Sequence, residues 1–150
     1  MTKSAHVDTF ARDNLPPRSQ WPELLFELPE MRYPERMNCA TELLDRMITA
    51  GHGDRPAIHG LRADGTRATA TYYQLLVRAN QIARVLREDL KLVPGARVLL
   101  RGPNNPMMAA CWFGVMKAGL IAVATMPLLR AKELKQVIDK AEVATALCDA

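Results

Sequence analysis

The sequence predicts an α/β fold in which a β-hairpin and helices are followed by a parallel βαβαβ unit. Three observations carry this expectation. From Arg97 onward, strand-length apolar runs alternate with helix-length segments, a pattern that lays strands side by side in parallel with right-handed helical crossovers. Pro94-Gly95, Asn105-Pro106 and Gly119 punctuate that alternation, proline opening a helix and glycine closing one. Upstream, two short runs flank Asp64-Gly65, a pair that tolerates the positive backbone angles of a hairpin turn.

Residues 1–36 read as an irregular leader, because Pro16, Pro17, Pro22, Pro29 and Pro34 interrupt any regular element. Trp21, Leu24, Leu25 and Phe26 lie among them, and Trp21 and Phe26 are expected to be packing anchors pinning an extended segment onto a domain. A first helix begins at Asn38 as N-cap, carries Ala40, Leu43, Leu44, Met47 and Ile48 on one face, and stops at Gly51. Pro56–Gly60 and Arg67–Tyr72 are the two hairpin strands. Thr71 and Gln74 have the spacing of a capping box, with Leu75, Leu76, Ala79, Ile82, Ala83 and Leu86 on one face of a helix running to about Asp89.

The second half is expected to follow as strand Arg97–Arg101, helix Pro106–Ala118, strand Leu120–Thr125, helix Ala131–Ala141 and strand Val143–Cys148. The segment PMMAACWFGVMKA is apolar nearly all the way round, so it should be covered on both sides by other structure. Pro103 to Leu129 carries Lys117 as its sole charge, but Asn104, Asn105, Gly119 and Pro127 divide it into a helix-length and a strand-length piece rather than one membrane span. A three-stranded parallel sheet ending at Asp149-Ala150 lacks a neighbour at its far edge. The expectation is therefore a partial domain over 37–150, truncated at its C-terminal end, beside the leader 1–36.

Composition narrows the function classes. With 49% hydrophobic and 24% charged residues, the chain is too apolar to be disordered. Its net charge of +4 comes from scattered lysines and arginines, without the clustered basic face and interleaved aromatics of a nucleic-acid binder. Cys39, Cys111 and Cys148 show no CxxC spacing, which speaks against a disulfide framework or zinc knuckle and for a cytoplasmic setting. Charged residues near the N-terminus leave no apolar core for a secretory signal.

Signatures of catalysis are sparse. GPNNP at 102–106 leads into a helix, yet one glycine and two prolines make a poor phosphate cradle. There is no GxxxxGK[ST] loop and no GxSxG elbow, and His6, His52 and His59 lack metal-ligand spacing. Glu88-Asp89 and Asp139 with Glu142 read as helix-surface charges. Catalytic and metal-ligating residues are thus expected to be absent from this stretch.

Two segments carry a family resemblance. ATYYQLLVRANQIARVL (70–86) and GVMKAGLIAVATMPL (114–128) resemble the first two core motifs of the AMP-dependent synthetase superfamily of adenylate-forming enzymes, and PGARVLLRGPNNPMMAACWFG between them resembles its strand, Asn-Pro turn and apolar helix. Each motif is common alone; their succession is far more specific. SAHVDTFARDNLPPRSQWPELLFELPE (4–30) is similar to the leader of 2-aminobenzoate-CoA and benzoate-CoA ligases.

The resemblance implies the N-terminal subdomain of an acid-thiol ligase. Such an enzyme adenylates a carboxylate with ATP and magnesium, then transfers the acyl group to CoA. It further implies that the triphosphate loop, the ribose-binding acid and the mobile lysine lie downstream, leaving this chain inactive alone. In the family the loop after the second motif lies near CoA, which would set Met126, Pro127 and Leu128 beside it; the competing reading of these residues is a structural turn. Expected partners of the parent are a small carboxylate, ATP and CoA, with self-association allowed and no nucleic acid or membrane span. The alternatives are a non-catalytic module derived from such a ligase and a nucleotide-binding regulatory domain, since fold alone does not fix function.

Overall fold

A computed structural model describes residues 4–61 and 64–149. Asn38 caps the first helical run, 39–49, by accepting the Ala40 and Thr41 amides. Thr41–Asp45 within that run is π-helical and Arg46–Thr49 (α2) is α-helical; Phe10–Asp13 (α1) is a single earlier turn. The Asn38 amide group also donates to the Met116 carbonyl at 2.9 Å, so one side chain starts a helix and satisfies the end of another.

β1 (Pro56–Leu61) and β2 (Arg67–Thr71) pair antiparallel, with an irregularity between Pro56 and Ile58. Arg62 and Ala63 lie outside the described residues. The expected turn residue Asp64 accepts the Thr66 amide at 2.9 Å, closing the local turn. α3 (Tyr72–Arg84) opens with the reciprocal Thr71–Gln74 capping box and is continued by a π-helical turn, Val85–Asp89. Both helical runs thus depart from plain α geometry, the second in its last turn, where the Leu90 amide reaches back to the Val85 carbonyl.

The parallel unit consists of β3 (Arg97–Arg101), α4 (Pro106–Lys117), β4 (Ile121–Thr125), α5 (Ala131–Ala141) and β5 (Thr145–Cys148). β3 lies in the centre, and the order is β4-β3-β5. The first crossover runs from central β3 to β4 and the second runs back from β4 across β3 to β5, and right-handed crossovers in opposite directions place α4 and α5 on opposite faces. Val98 and Leu100 pack with Val115 of α4, so Arg97, Leu99 and Arg101 alternate onto the α5 face. Among the described residues β4 and β5 each pair on one side only.

Two clusters form the core. Leu86, Val98, Leu100, Val115 and Leu120 join the sheet to α3 and α4, while Leu44, Leu75, Ala79 and Ala110 join α3, α4 and the first helical run. Gly114 is the close-approach point between α3 and α4: a Cβ there would stand 2.8 Å from Ile82 Cβ and 3.1 Å from the Ala79 carbonyl oxygen. α4 is covered by α3 and by the sheet, but Met107 and Trp112 stay exposed. The expected cover on both sides is thus supplied by α3 and the sheet.

The leader corrects one expectation. Trp21 is 41% exposed and Phe26 is 50% exposed, so neither is a packing anchor among the described residues. Trp21 donates to the nearby Pro16 carbonyl, and Phe26 meets Tyr33 edge-on. What holds the leader is a strap at Val7–Phe10. The Val7 and Asp8 amides both donate to the Pro94 carbonyl at 2.9 Å, Asp8 pairs with Arg97, and the Phe10 ring lies 4.5 Å from the Arg97 guanidinium carbon. Gly95 (φ 91°) makes this possible, because a Cβ there would sit 2.1 Å from the Asp8 carbonyl oxygen. Backbone hydrogen bonds and one arginine do the pinning assigned to aromatic burial.

Tyr72 packs into the second cluster, whereas Tyr73 is 56% exposed and contributes its backbone amide to the Gly53 carbonyl. Only one of the two tyrosines joins hairpin to helix through its ring.

Candidate functional site

The register of the sheet aligns Thr125, Arg101 and Cys148 across the carboxyl ends of its three strands. Loop 102–105 leaves β3 for α4, and loop 126–130 leaves β4 for α5. Neighbouring loops that depart to opposite faces open a crevice between them, the usual ligand position in parallel α/β sheets. A cleft of about 580 Å³ lies at this end, bordered by Ile58, His59, Gly102, Asn105, Trp112 and Thr125.

Its polar groups are largely committed. Asn105 accepts the Met108 amide at 2.8 Å, and Pro106 supplies no amide to the first turn of α4. The Thr125 hydroxyl donates to the Leu100 carbonyl at 3.1 Å. The His59 ring contacts the Thr69 hydroxyl at 3.4 Å. Among the described residues no three His, Cys, Asp or Glu side chains converge to hold a metal ion. These donors do not fit a magnesium–triphosphate group, and no step of such chemistry is assigned to them.

Met126, Pro127 and Leu128 sit in the loop that follows Thr125, outside the residues that line the cleft. Met126 is 63% exposed and Leu128 83% exposed; the Leu129 amide closes a turn on the Met126 carbonyl at 3.2 Å. Arg101 holds this loop from below, its Nη2 donating to the Pro127 carbonyl at 2.8 Å and reaching the Leu129 carbonyl at 3.4 Å. Arg101 Nε is buried without an acceptor. This arginine was not singled out by sequence reasoning. The available signal was a charge closing an otherwise apolar strand, a position where a long side chain can reach the next loop.

Other charged groups are structural. Arg84 bonds Glu88 at 2.7 Å, which raises the arginine's pKa, and Lys135 bonds Asp139 at 2.5 Å. Lys117 pairs with Asp45. At the amino end of the sheet, the Phe10 amide is the main cause holding the Asp8 carboxyl below its ordinary range; desolvation opposes it and Arg97 adds to the lowering. Burial pushes the Cys111 thiol up.

The AMP-binding enzyme family matches residues 45–150, covering the hairpin, α3 and the whole parallel unit. The chain belongs to this family. Within it, the chain is 37% identical over 102 residues to the acetyl-coenzyme A synthetase of Mycobacterium tuberculosis strain H37Rv, which covers 64% of this chain and 16% of that protein. It is 39% identical over 90 residues to the salicyl-AMP ligase / salicyl-S-ArCP synthetase of the same strain, covering 60% and 14%. It is 27% identical over 110 residues to the benzoate–CoA ligase of Thauera aromatica, covering 73% and 20%. The chain therefore spans 14–20% of these relatives' lengths.

Among solved structures, CmiS6 superposes with a TM-score of 0.66 at 28% identity, covering 78% of this chain and 30% of that one. The anthranilate CoA ligase AuaEII, solved with anthranoyl-AMP, superposes with a TM-score of 0.66 at 23% identity, covering 77% and 21%. The fold is that of the N-terminal subdomain of adenylate-forming enzymes. No helix among the described residues is long and apolar enough to cross a membrane.

Proposed function

We propose that this chain is the N-terminal portion of an ATP-dependent aryl- or acyl-CoA ligase acting on 2-aminobenzoate or benzoate. The observation that carries the ligase reading is the family match running unbroken through both core motifs and the parallel unit. The aromatic reading is supported by the benzoate–CoA ligase and salicyl-AMP ligase among the relatives and by the leader resemblance in residues 4–30. In the proposed reaction a carboxylate oxygen attacks the α-phosphorus of ATP and expels pyrophosphate. The CoA thiol then attacks the acyl carbon and expels AMP.

ATP with magnesium would be bound by residues outside this chain. The contribution of this chain would be the wall of the crevice, with Met126, Pro127 and Leu128 lining the CoA side. The setting is cytoplasmic. Taken alone, the chain should give no CoA ester, because the resemblance puts the triphosphate loop, the ribose-binding acid and the mobile lysine in other residues.

The test is product formation by the protein encoded in the complete reading frame. 2-Aminobenzoate and benzoate should each give a CoA ester and AMP, and acetate should give little. Preference for acetate or a long-chain acid would remove the aromatic reading. Absence of AMP release with every acid would remove the ligase reading in favour of a non-catalytic module. CoA-ester formation by the 150-residue chain itself would overturn the assignment of catalysis to other residues.

A further inference from the structure

We infer that Arg101 is a positioning residue for loop 126–129 and, through it, for the thiol-transfer half of the reaction; the second part rests on the ligase reading above. The loop has little else to hold it. Met126 and Leu128 turn their side chains to solvent, so burial does not fix them. The turn from the Leu129 amide to the Met126 carbonyl is local. Among the described residues, the hydrogen bonds joining the loop to the sheet are those from Arg101 Nη2 to the Pro127 and Leu129 carbonyls.

Two features separate this arrangement from ordinary stabilisation. A guanidinium is rigid and planar, so carbonyls bound to the same nitrogen are held in one orientation. Yet Nε is buried with no acceptor among the described residues, and a buried donor left unmade carries a desolvation cost. An apolar side chain at the end of β3 would avoid that cost. The guanidinium therefore fixes the backbone of the loop while its own Nε finds no protein acceptor, so its place is set by the loop carbonyls.

The experiment compares Arg101→Met and Arg101→Lys with the parent protein, each checked for native circular dichroism. In the 150-residue chain, backbone order parameters at Leu128 and Leu129 should fall from about 0.85 to below about 0.6 in Arg101→Met, with β3 and β4 unchanged. In the protein from the complete reading frame, the CoA KM should rise roughly tenfold, as a loosened positioning contact predicts. Carboxylate-dependent pyrophosphate exchange should be unaffected. Arg101→Lys, keeping the charge and a single donor nitrogen without the planar fork, should lie between the two on both readouts. Unchanged order parameters overturn the positioning role. A mobile loop with unchanged CoA KM, or an equal loss of pyrophosphate exchange, overturns its link to thiol transfer. If the complete protein forms no adenylate at all, the ligase reading fails, while the order parameters still decide whether Arg101 sets the loop.

Discussion

Arg97 and Arg101 stand at opposite ends of β3 on the same face of the sheet and do similar chemistry with opposite completeness. Arg97 gives Nε to the Ala141 carbonyl at 2.8 Å and Nη2 to the Glu142 carbonyl at 3.0 Å, pairs with Asp8 and lies against Phe10, with 9% of its side chain exposed. It closes the end of α5 and secures the leader in one contact set. Arg101 holds the start of the connection into α5 and leaves Nε without an acceptor. One end of the strand is finished for stability; the other is arranged around a loop.

That difference is easiest to break from the Arg97 end. Arg97→Met removes the guanidinium from two carbonyls and a carboxylate, and should cost about 2–4 kcal/mol in denaturant unfolding. A loss comparable to that of Arg101→Met would erase the distinction. Gly95→Ala should cost about 1–2 kcal/mol from the positive φ and the collision with the Asp8 backbone. Its signature should be local, with faster proteolysis within residues 4–9 and little change in the sheet's melting.

Acid should act at the same end. Asp8 has its folded pKa lowered, so its stabilising contribution is present above the unfolded value and disappears as pH falls through the folded value. Cleavage of the leader should therefore accelerate below about pH 4, and Asp8→Asn should show fast cleavage at every pH with that dependence gone. The smallest stability effect belongs to Arg101→Met, under about 1 kcal/mol, because removing the unpaired donor offsets the lost carbonyl bonds. A larger loss would make Arg101 a stabilising residue like Arg97.

Much of the parallel unit was legible because its signals are local. Asn105, Pro106 and Gly119 bracket α4, the Thr71–Gln74 box opens α3, and the apolar runs at β3 and β4 are too short for anything but strands. The leader was not, because the anchoring value of an aromatic depends on a distant partner. Trp21 and Phe26 have the right chemistry and find no core, whereas Asp8 meets Arg97 across 89 positions of sequence. Gly114 was overlooked although Ala110, Gly114 and Ala118 repeat at helical spacing, a row of small residues that lets a neighbouring helix come close. As for the candidate site, sequence reasoning placed Met126–Leu128 on a loop. It did not find the arginine beneath that loop, whose hydrogen bonds span a whole crossover.

The alternation of β5 has a consequence for sulfur chemistry. Leu147 joins the α4-side core, so Cys148, in register with Arg101, carries its thiol to the α5 side, whereas Cys111 projects from α4 into the first cluster. β5 is an edge strand, and Cys111 and Cys148 both border one small cavity beside Leu147 and Asp149. An alkylating reagent should modify exposed Cys39 and Cys148 well before half-buried Cys111. Their labelling order is thus a chemical clock for whether the layers on the two faces have come apart.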